Sequence, residues 1–454
     1  MESASKPDGA APEGGWDGRV WRLAGPIILA NLTVPLLGAV DTAVVGRLPD
    51  PAYLGAVAVG ATIFSFVYWG FGFLRMSTTG LTAQAWGRGD AEEVKASFAR
   101  AAGIALLTAG ALILLQGPIL WAALGLFEAS EQVEDLAAGY FTIRIWGAPA
   151  ALMNYVLLGW FLGRQDARTP LLLQILINAV NIGLDLVFVV GLGWDVEGVA
   201  AATAIAEWSG LLLGLLLVRR ALAASGVGPV GRARLLDREA LRRLVAVNRD
   251  IFIRTLCLVG AFTYFTMRGA TMGETTLAAN AVLLNFLTIA SFGLDGFAHA
   301  AEALVGRSVG RRDRADFDAA VRSVFKWAAV LAGGAAALFV LAGPAVIALL
   351  TDIPEVRGEA SRFLLWPALL PLISVWCFTF DGIFIGATRG ADLRNAMILS
   401  LAVYLGALHW AQPAFGNHGL WFAMTLFMGV RGLSLAALYP RLRRSVGARS
   451  FTEP

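Results

Sequence analysis

LLLQILINAVNIGLDLVFVVGLG, residues 171–193, contains one charge, Asp185, in a run long enough to cross a hydrocarbon layer. About 20 apolar residues in a helix span the membrane interior. A carboxylate buried in such a run costs roughly 2.5 to 3.5 kcal/mol on insertion scales, so a chain that keeps one is expected to use it. The spacing adds to this. Asn178, Asn181 and Asp185 stand at i, i+3 and i+7 and share one helical face.

The rest of the chain has the same character. Its 454 residues are 57% hydrophobic and 15% charged, with a mean hydropathy of +0.67, the composition of an integral membrane protein embedded in a lipid bilayer. The net charge of +3 forms no nucleic-acid patch. Cys257 and Cys377 fall in apolar stretches without neighbours at metal-binding spacing, which predicts packing roles. Residues 1–18, rich in Pro, Gly and acids, read as a disordered tail without a signal core.

Twelve segments are apolar enough to span: 23–46, 54–84, 97–126, 139–162, 171–193, 196–218, 251–272, 277–305, 324–350, 360–386, 395–412 and 418–439. Most of the 36 Lys and Arg then fall on one side, leaving Arg47, Arg268, Arg357 and Arg362 on the other. The positive-inside rule puts both termini in the cytoplasm of a multi-pass inner (plasma) membrane protein, with a GC-rich, bacterial composition. The predicted organisation is a tail (1–18), an N-lobe (19–218), a cytoplasmic linker with an amphipathic surface helix (219–250), a C-lobe (251–440) and a second tail (441–454).

The two lobes carry a repeat. AWGRGD (85–90) returns as SVGRRD (308–313), FLG (161–163) as FIG (384–386), and LGAVAV (54–59) as LAANAV (277–282), all at an offset of 223 residues. Each half has an even number of spans, so the copies relate by an axis along the membrane normal. The fold class is therefore an all-α membrane protein, twelve transmembrane helices in two pseudo-symmetric six-helix lobes around a central cavity.

Asp41 interrupts the first span as Asp185 does the fifth, both in the outer half. Thr203 in the sixth span lies at a similar depth, so Asp41, Asn181, Asp185 and Thr203 converge if spans one, five and six pack together. Such a cluster offers hard oxygen ligands for Na⁺, and two close carboxylates equally suit H⁺; the residues leave the choice open. Pro26 and Pro35 are candidate hinges in the first span, Pro35 removing the bond to the Asn31 carbonyl. Candidate substrate or network residues are Tyr140, Asn154, Asn178, Glu207, Asp295 and Asp381. Under the 223-residue offset the four membrane aspartates have no acidic counterparts, so each lobe is expected to have its own task. Arg75, Arg144 and Arg431 are expected to snorkel or pair internally, and His299 and His409 to pack or hydrogen-bond.

Five stretches, VDTAVVGRL (40–48), GFLRMSTTGLTAQAWGRGD (72–90), GWFLGRQDARTPL (159–171), FGLDGFAHAAEALVGRSVGRRD (292–313) and FDGIFIGATRGADLRNAM (380–397), carry a resemblance. The chain resembles the multidrug and toxic compound extrusion (MATE) transporters, in particular their DinF-like branch, over about residues 22 to 440. The resemblance implies export of small organic, often cationic, compounds by antiport with H⁺ or Na⁺, without a further cofactor, by a monomer. It implies coupling at Asp41, Asn181, Asp185 and Thr203, which would also be the Na⁺ ligands. Acids of the C-terminal lobe serve the family's other main branch, and span seven offers Arg268 with no Glu before Glu274.

Two other functions are weighed against this one. A flippase or exporter of an amphiphilic or lipid-linked metabolite predicts several cationic side chains in the cavity, and the predicted spans contain few. An intramembrane aspartyl protease resembles others of its kind by Tyr-Asp and Gly-x-Gly-Asp patterns; here Val40 precedes Asp41, and Ile-Gly-Leu precedes Asp185.

Overall fold

The computed structural model describes residues 15–447, apart from 49, 128 and 227. Among the described residues every regular element is a helix. The long units are α1 (Gly15–Val45), α2 (Pro51–Gly87), α3 (Ala91–Leu114), α4 (Glu131–Gly163), α5 (Arg168–Gly191) and α6 (Asp195–Ala224), followed by α7 (Arg238–Ala270), α8 (Glu274–Arg311), α9 (Arg314–Leu350), α10 (Leu365–Gly386), α11 (Gly390–Phe415) and α12 (Asn417–Ser445). All but α7 meet the length and hydropathy expected of a membrane span, eleven helices among the described residues. Short helices follow α3 (Gln116–Leu124), lie between α6 and α7 (Arg232–Leu235) and precede α10 (Pro354–Phe363).

Local chemistry explains where the long units bend. α2 breaks at Phe71, which Gly70 and Gly72 flank. α4 passes through a tight turn at Ile145–Gly147 just before Pro149. α5 widens into a π-turn over Leu186–Gly191, immediately after Asp185.

The repeat extends to the backbone. Gly89 (φ 71°) and Arg312 (φ 56°) stand at equivalent left-handed positions, as do Gln165 (φ 64°) and Thr388 (φ 54°). After the first pair, Asp90 and Asp313 accept from the backbone N–H of Glu93 (2.9 Å) and Asp316 (3.0 Å), capping α3 and α9 alike. One turn design thus starts the third helix of each half.

Two expected boundaries are corrected. Residues 15–18 belong to α1 and not to a disordered tail, because Asp17 accepts from Ser323 Oγ (2.6 Å) and Lys326 Nζ (2.5 Å) on α9; residues 1–14 lie outside the described residues. The amphipathic helix expected inside the 219–250 linker is the first part of α7 itself. Asp237 caps the Ala240 N–H at 2.8 Å, and no Gly or Pro follows until the helix is well inside the bundle.

The cores follow the two halves, with one exception. One apolar cluster runs from Val44 to Ile251, a second from Ala261 to Met428. A third joins Val20, Leu23, Ala24 and Ile27 of α1 to α8, α9, α10 and α12. α1 therefore begins against the second half and ends against α5 of the first. It crosses the boundary between the lobes, passing through Pro26 and Pro35 on the way.

Candidate functional site

α5 is polar on the inside and apolar on the outside. Asn178, Asn181 and Asp185 are buried, while Leu172, Ile175 and Leu186 are exposed on the outside of the bundle. The packing of α5 against α1 and α6 brings Asp41 and Thr203 to this face. The Asp41 and Asp185 carboxyls lie within hydrogen-bonding reach of each other. Asn181 sits between them and Thr203. In the amide orientation that complements every neighbour, its Nδ2 donates to Asp41 Oδ1 (3.2 Å) and Asp185 Oδ2 (3.1 Å), and its Oδ1 accepts from the Thr203 hydroxyl (3.1 Å) and backbone N–H (3.3 Å). In the opposite orientation Nδ2 donates to Thr203 Oγ1 (3.1 Å) and Oδ1 faces both carboxyls. Asp185 is fully buried, and its Oδ1 has no hydrogen-bond partner. The four residues named from the sequence form one cluster. Asn178 does not join it, accepting instead from Gln174 Nε2 at 2.8 Å, one turn away.

A second group adjoins it. Arg144 donates to the Tyr140 hydroxyl (2.7 Å), lies 3.8 Å from Glu207 Oε1 and stacks over Phe64. Asn154 Nδ2 donates to the Glu207 backbone carbonyl (3.0 Å). Glu207 Oε2 and the Tyr68 hydroxyl are buried without partners. Tyr140, Asn154 and Glu207, separate candidates in the sequence, are thus one network around Arg144.

The third group lines a cavity of about 620 Å³ between the halves. Arg75 of α2 meets Glu302 of α8 in a buried two-pronged ion pair (2.9 and 3.3 Å) that ties one lobe to the other. Asp381 of α10 accepts from both Arg254 of α7 and Arg431 of α12. Asp295 and His299 of α8 face the same cavity. The expectation of few cations in the cavity is therefore wrong: Arg75, Arg254 and Arg431 all line it. Sequence reasoning missed Arg254, which sits where the linker was thought to end, and Glu302. Yet Asp295, His299 and Glu302 stand at i, i+4 and i+7, the same signal that revealed the face of α5. His299 is a cavity residue with a buried, unpartnered Nδ1, whereas His409 is exposed. Arg75, Arg144 and Arg431 pair internally, and Cys377 packs in the core with its Sγ 3.1 Å from the Ser374 carbonyl.

At the end of the bundle that carries the Arg-rich turns, here the basic end, the halves close on each other. A Cβ on Gly87 would lie 2.2 Å from the Arg307 carbonyl oxygen, one on Gly310 2.1 Å from that of Gln84, and one on Gly80 2.4 Å from that of Ile385. Backbones approach this closely only where side chains are absent. Arg243 clips the junction by donating to Gln84 Oε1 (2.6 Å) and Thr388 Oγ1 (2.7 Å).

Two helical lobes that meet at one end, with a charged cavity between them and an ionisable cluster inside one, have the layout of a membrane transporter. Residues 26–187 and 251–408 match the MatE family model. The chain is 45% identical to DNA damage-inducible protein F of Escherichia coli (strain K12), over 94% of this chain and 92% of that protein. It is 27% identical to the probable multidrug resistance protein NorM of Shewanella oneidensis, covering 94% of each. Its fold matches a crystal structure of MATE in complex with MaD5, with a TM-score of 0.86, 21% identity, and 97% and 99% of the two chains covered. The chain belongs to the MatE family of multidrug and toxic compound efflux transporters.

Proposed function

We propose that this transporter is a cation-coupled antiporter, exporting an organic compound in exchange for H⁺ or Na⁺ bound at Asp41, Asn181, Asp185 and Thr203. The observation that carries the reading is the position of the Asn181 amide between two carboxyls. When both acids are ionised and no cation is bound, Nδ2 faces them. A Na⁺ between them calls for an oxygen there instead and favours the reversed amide, which changes the bond to Thr203, whereas a proton can be shared between the two carboxyls and removes one of the charges to which Nδ2 donates. Cation binding is thereby read by α6 as well as by α1 and α5.

The rest of the cycle follows from α1, which carries Asp41 at one end and packs on the opposite lobe at the other. In the proposed mechanism Pro26 and Pro35, each depriving a carbonyl one turn back of its helix bond, are the hinges through which the charge state at Asp41 changes the α1 contact with α8. The lobes, α1–α6 and α7–α12, then rock about the cavity, with both termini in the cytoplasm of a bacterial inner membrane and a monomer as the working unit. Tyr140, Asn154 and Glu207 support Arg144 beside the cluster, Asn178 extends its polar face, and Asp295 and Asp381 serve the substrate cavity. Coupling requires that the cation bind one lobe arrangement better than the other, since equal affinity shifts nothing.

The three cavity arginines also favour a second reading, export or flipping of an amphiphilic or lipid-linked metabolite. The test common to both is substrate flux in proteoliposomes with Na⁺ and pH gradients imposed separately. Response to one gradient names the ion, and flux indifferent to both contradicts antiport.

A further inference from the structure

The cavity holds charges for which ion coupling has no use. Arg254 and Arg431 donate from their Nη2 atoms to the same oxygen, Oδ2 of Asp381. Two cations against one hydrogen-bonded carboxylate leave this trio with a net positive charge, which Asp295 of the same cavity offsets without a hydrogen bond to either arginine. The three side chains are buried, at 8%, 3% and 7% relative exposure, so water does little to disperse that charge. Nor are their bonding groups filled. Nε of each arginine and Oδ1 of Asp381 lack partners, and Nη1 of Arg431 has only the Met428 sulfur, 3.9 Å away. Unpaired buried donors on charged groups are costly, and a guanidinium is shaped to bind the oxygens of an acid.

The neighbouring charges narrow the ligand. Arg75 is already held by both oxygens of Glu302 and offers no second seat. Asp295 on α8 lines the same cavity, close enough to act electrostatically on Arg254 and Arg431, and opposes further negative charge. Trp69, Phe262, Phe292 and Phe378 supply apolar wall. A volume of about 620 Å³ suits a drug-sized molecule.

We propose that Arg254, Asp381 and Arg431 form the headgroup seat of the cavity, and that the compound it takes is an amphiphile bearing one acidic group. The acid bridges the two guanidiniums, its apolar body lies along the aromatic wall, and Asp295 admits a zwitterion while turning away a dianion. This inference rests on the export reading, but it concerns equilibrium binding and is tested without any gradient, so it can fail while ion coupling stands, and the reverse.

The experiment is calorimetric titration of the whole protein, purified in a neutral maltoside, with n-octyl sulfate and n-octyltrimethylammonium below their micellar concentrations. Wild type is expected to bind the sulfate at least about tenfold more tightly, the scale of one charge-assisted hydrogen bond. Arg431→Gln, which leaves Arg254 paired with Asp381, should remove that preference. Asp381→Asn removes the only carboxylate hydrogen-bonded to the two arginines among the described residues and should strengthen sulfate binding, a gain that misfolding cannot imitate. Equal affinity for the two probes in wild type, or the same change for both probes in each variant, overturns the proposal. Repeating the sulfate titration in nanodiscs of phosphatidylcholine with and without phosphatidylglycerol separates the sources of the acid. Weaker apparent binding with the anionic lipid identifies a lipid headgroup as occupant, and unchanged binding a free amphiphile.

Discussion

Asn181 is the residue on which the coupling account turns, because among the described residues it is the one that reaches Asp41, Asp185 and Thr203 together. Asn181→Ala removes two hydrogen bonds to ionised groups, each worth about 1.5–3 kcal/mol. It is therefore expected to shift the half-maximal pH or Na⁺ concentration for transport by about tenfold or more, read in proteoliposomes. Thr203→Val, which spares both carboxyl contacts, should have a smaller effect. This cluster was legible in the sequence because its members sit on one helical face or at one depth. The Arg254–Asp381–Arg431 trio was not, since its pairs join residues 127 and 50 positions apart on helices whose neighbours only the fold defines. Glu302 was legible from its spacing with Asp295 and His299 and was overlooked.

The elements were easier to recognise than their ends. Hydropathy located the spans, but it could not show that α7 starts at Arg238, since a charged amphipathic turn and a linker have similar compositions. Nor did it locate the break in α2 at Phe71, although Gly70 and Gly72 mark it. The repeat fared better, because a left-handed residue followed by a capping Asp leaves a local signature. At this scale the lobes meet most plainly between α2 and α8, where Gly87 and Gly310 allow the two backbones to touch. Gly87→Ala or Gly310→Ala places a methyl against a carbonyl oxygen that neither helix can move without sliding. Each is expected to separate the basic ends of the lobes, seen as a longer spin-label distance between Arg88→Cys and Arg311→Cys by double electron–electron resonance.

For the molecule as a whole, the buried Arg75–Glu302 pair and the Arg243 clip hold the lobes together on the basic side of the cavity. Glu302→Gln leaves Arg75 buried without its counter-charge, which destabilises the closed arrangement by about 3–5 kcal/mol. The same pair of labels should then report a mostly open basic end, and Arg243→Ala should shift the distances in the same direction by less. The two-lobed plan could be read from the repeat and the charge distribution. That α1 belongs to both lobes could not, because its apolar first half carries no mark of the helix it packs against. The central claim, that the cation acts through the α1–α5 acid pair, is tested most directly by comparing uphill with downhill flux in one proteoliposome preparation. With Asp41→Asn or Asp185→Asn, export against a substrate gradient should be lost under whichever ion gradient drives wild type, while downhill flux persists. Full uphill export by both variants would contradict the account.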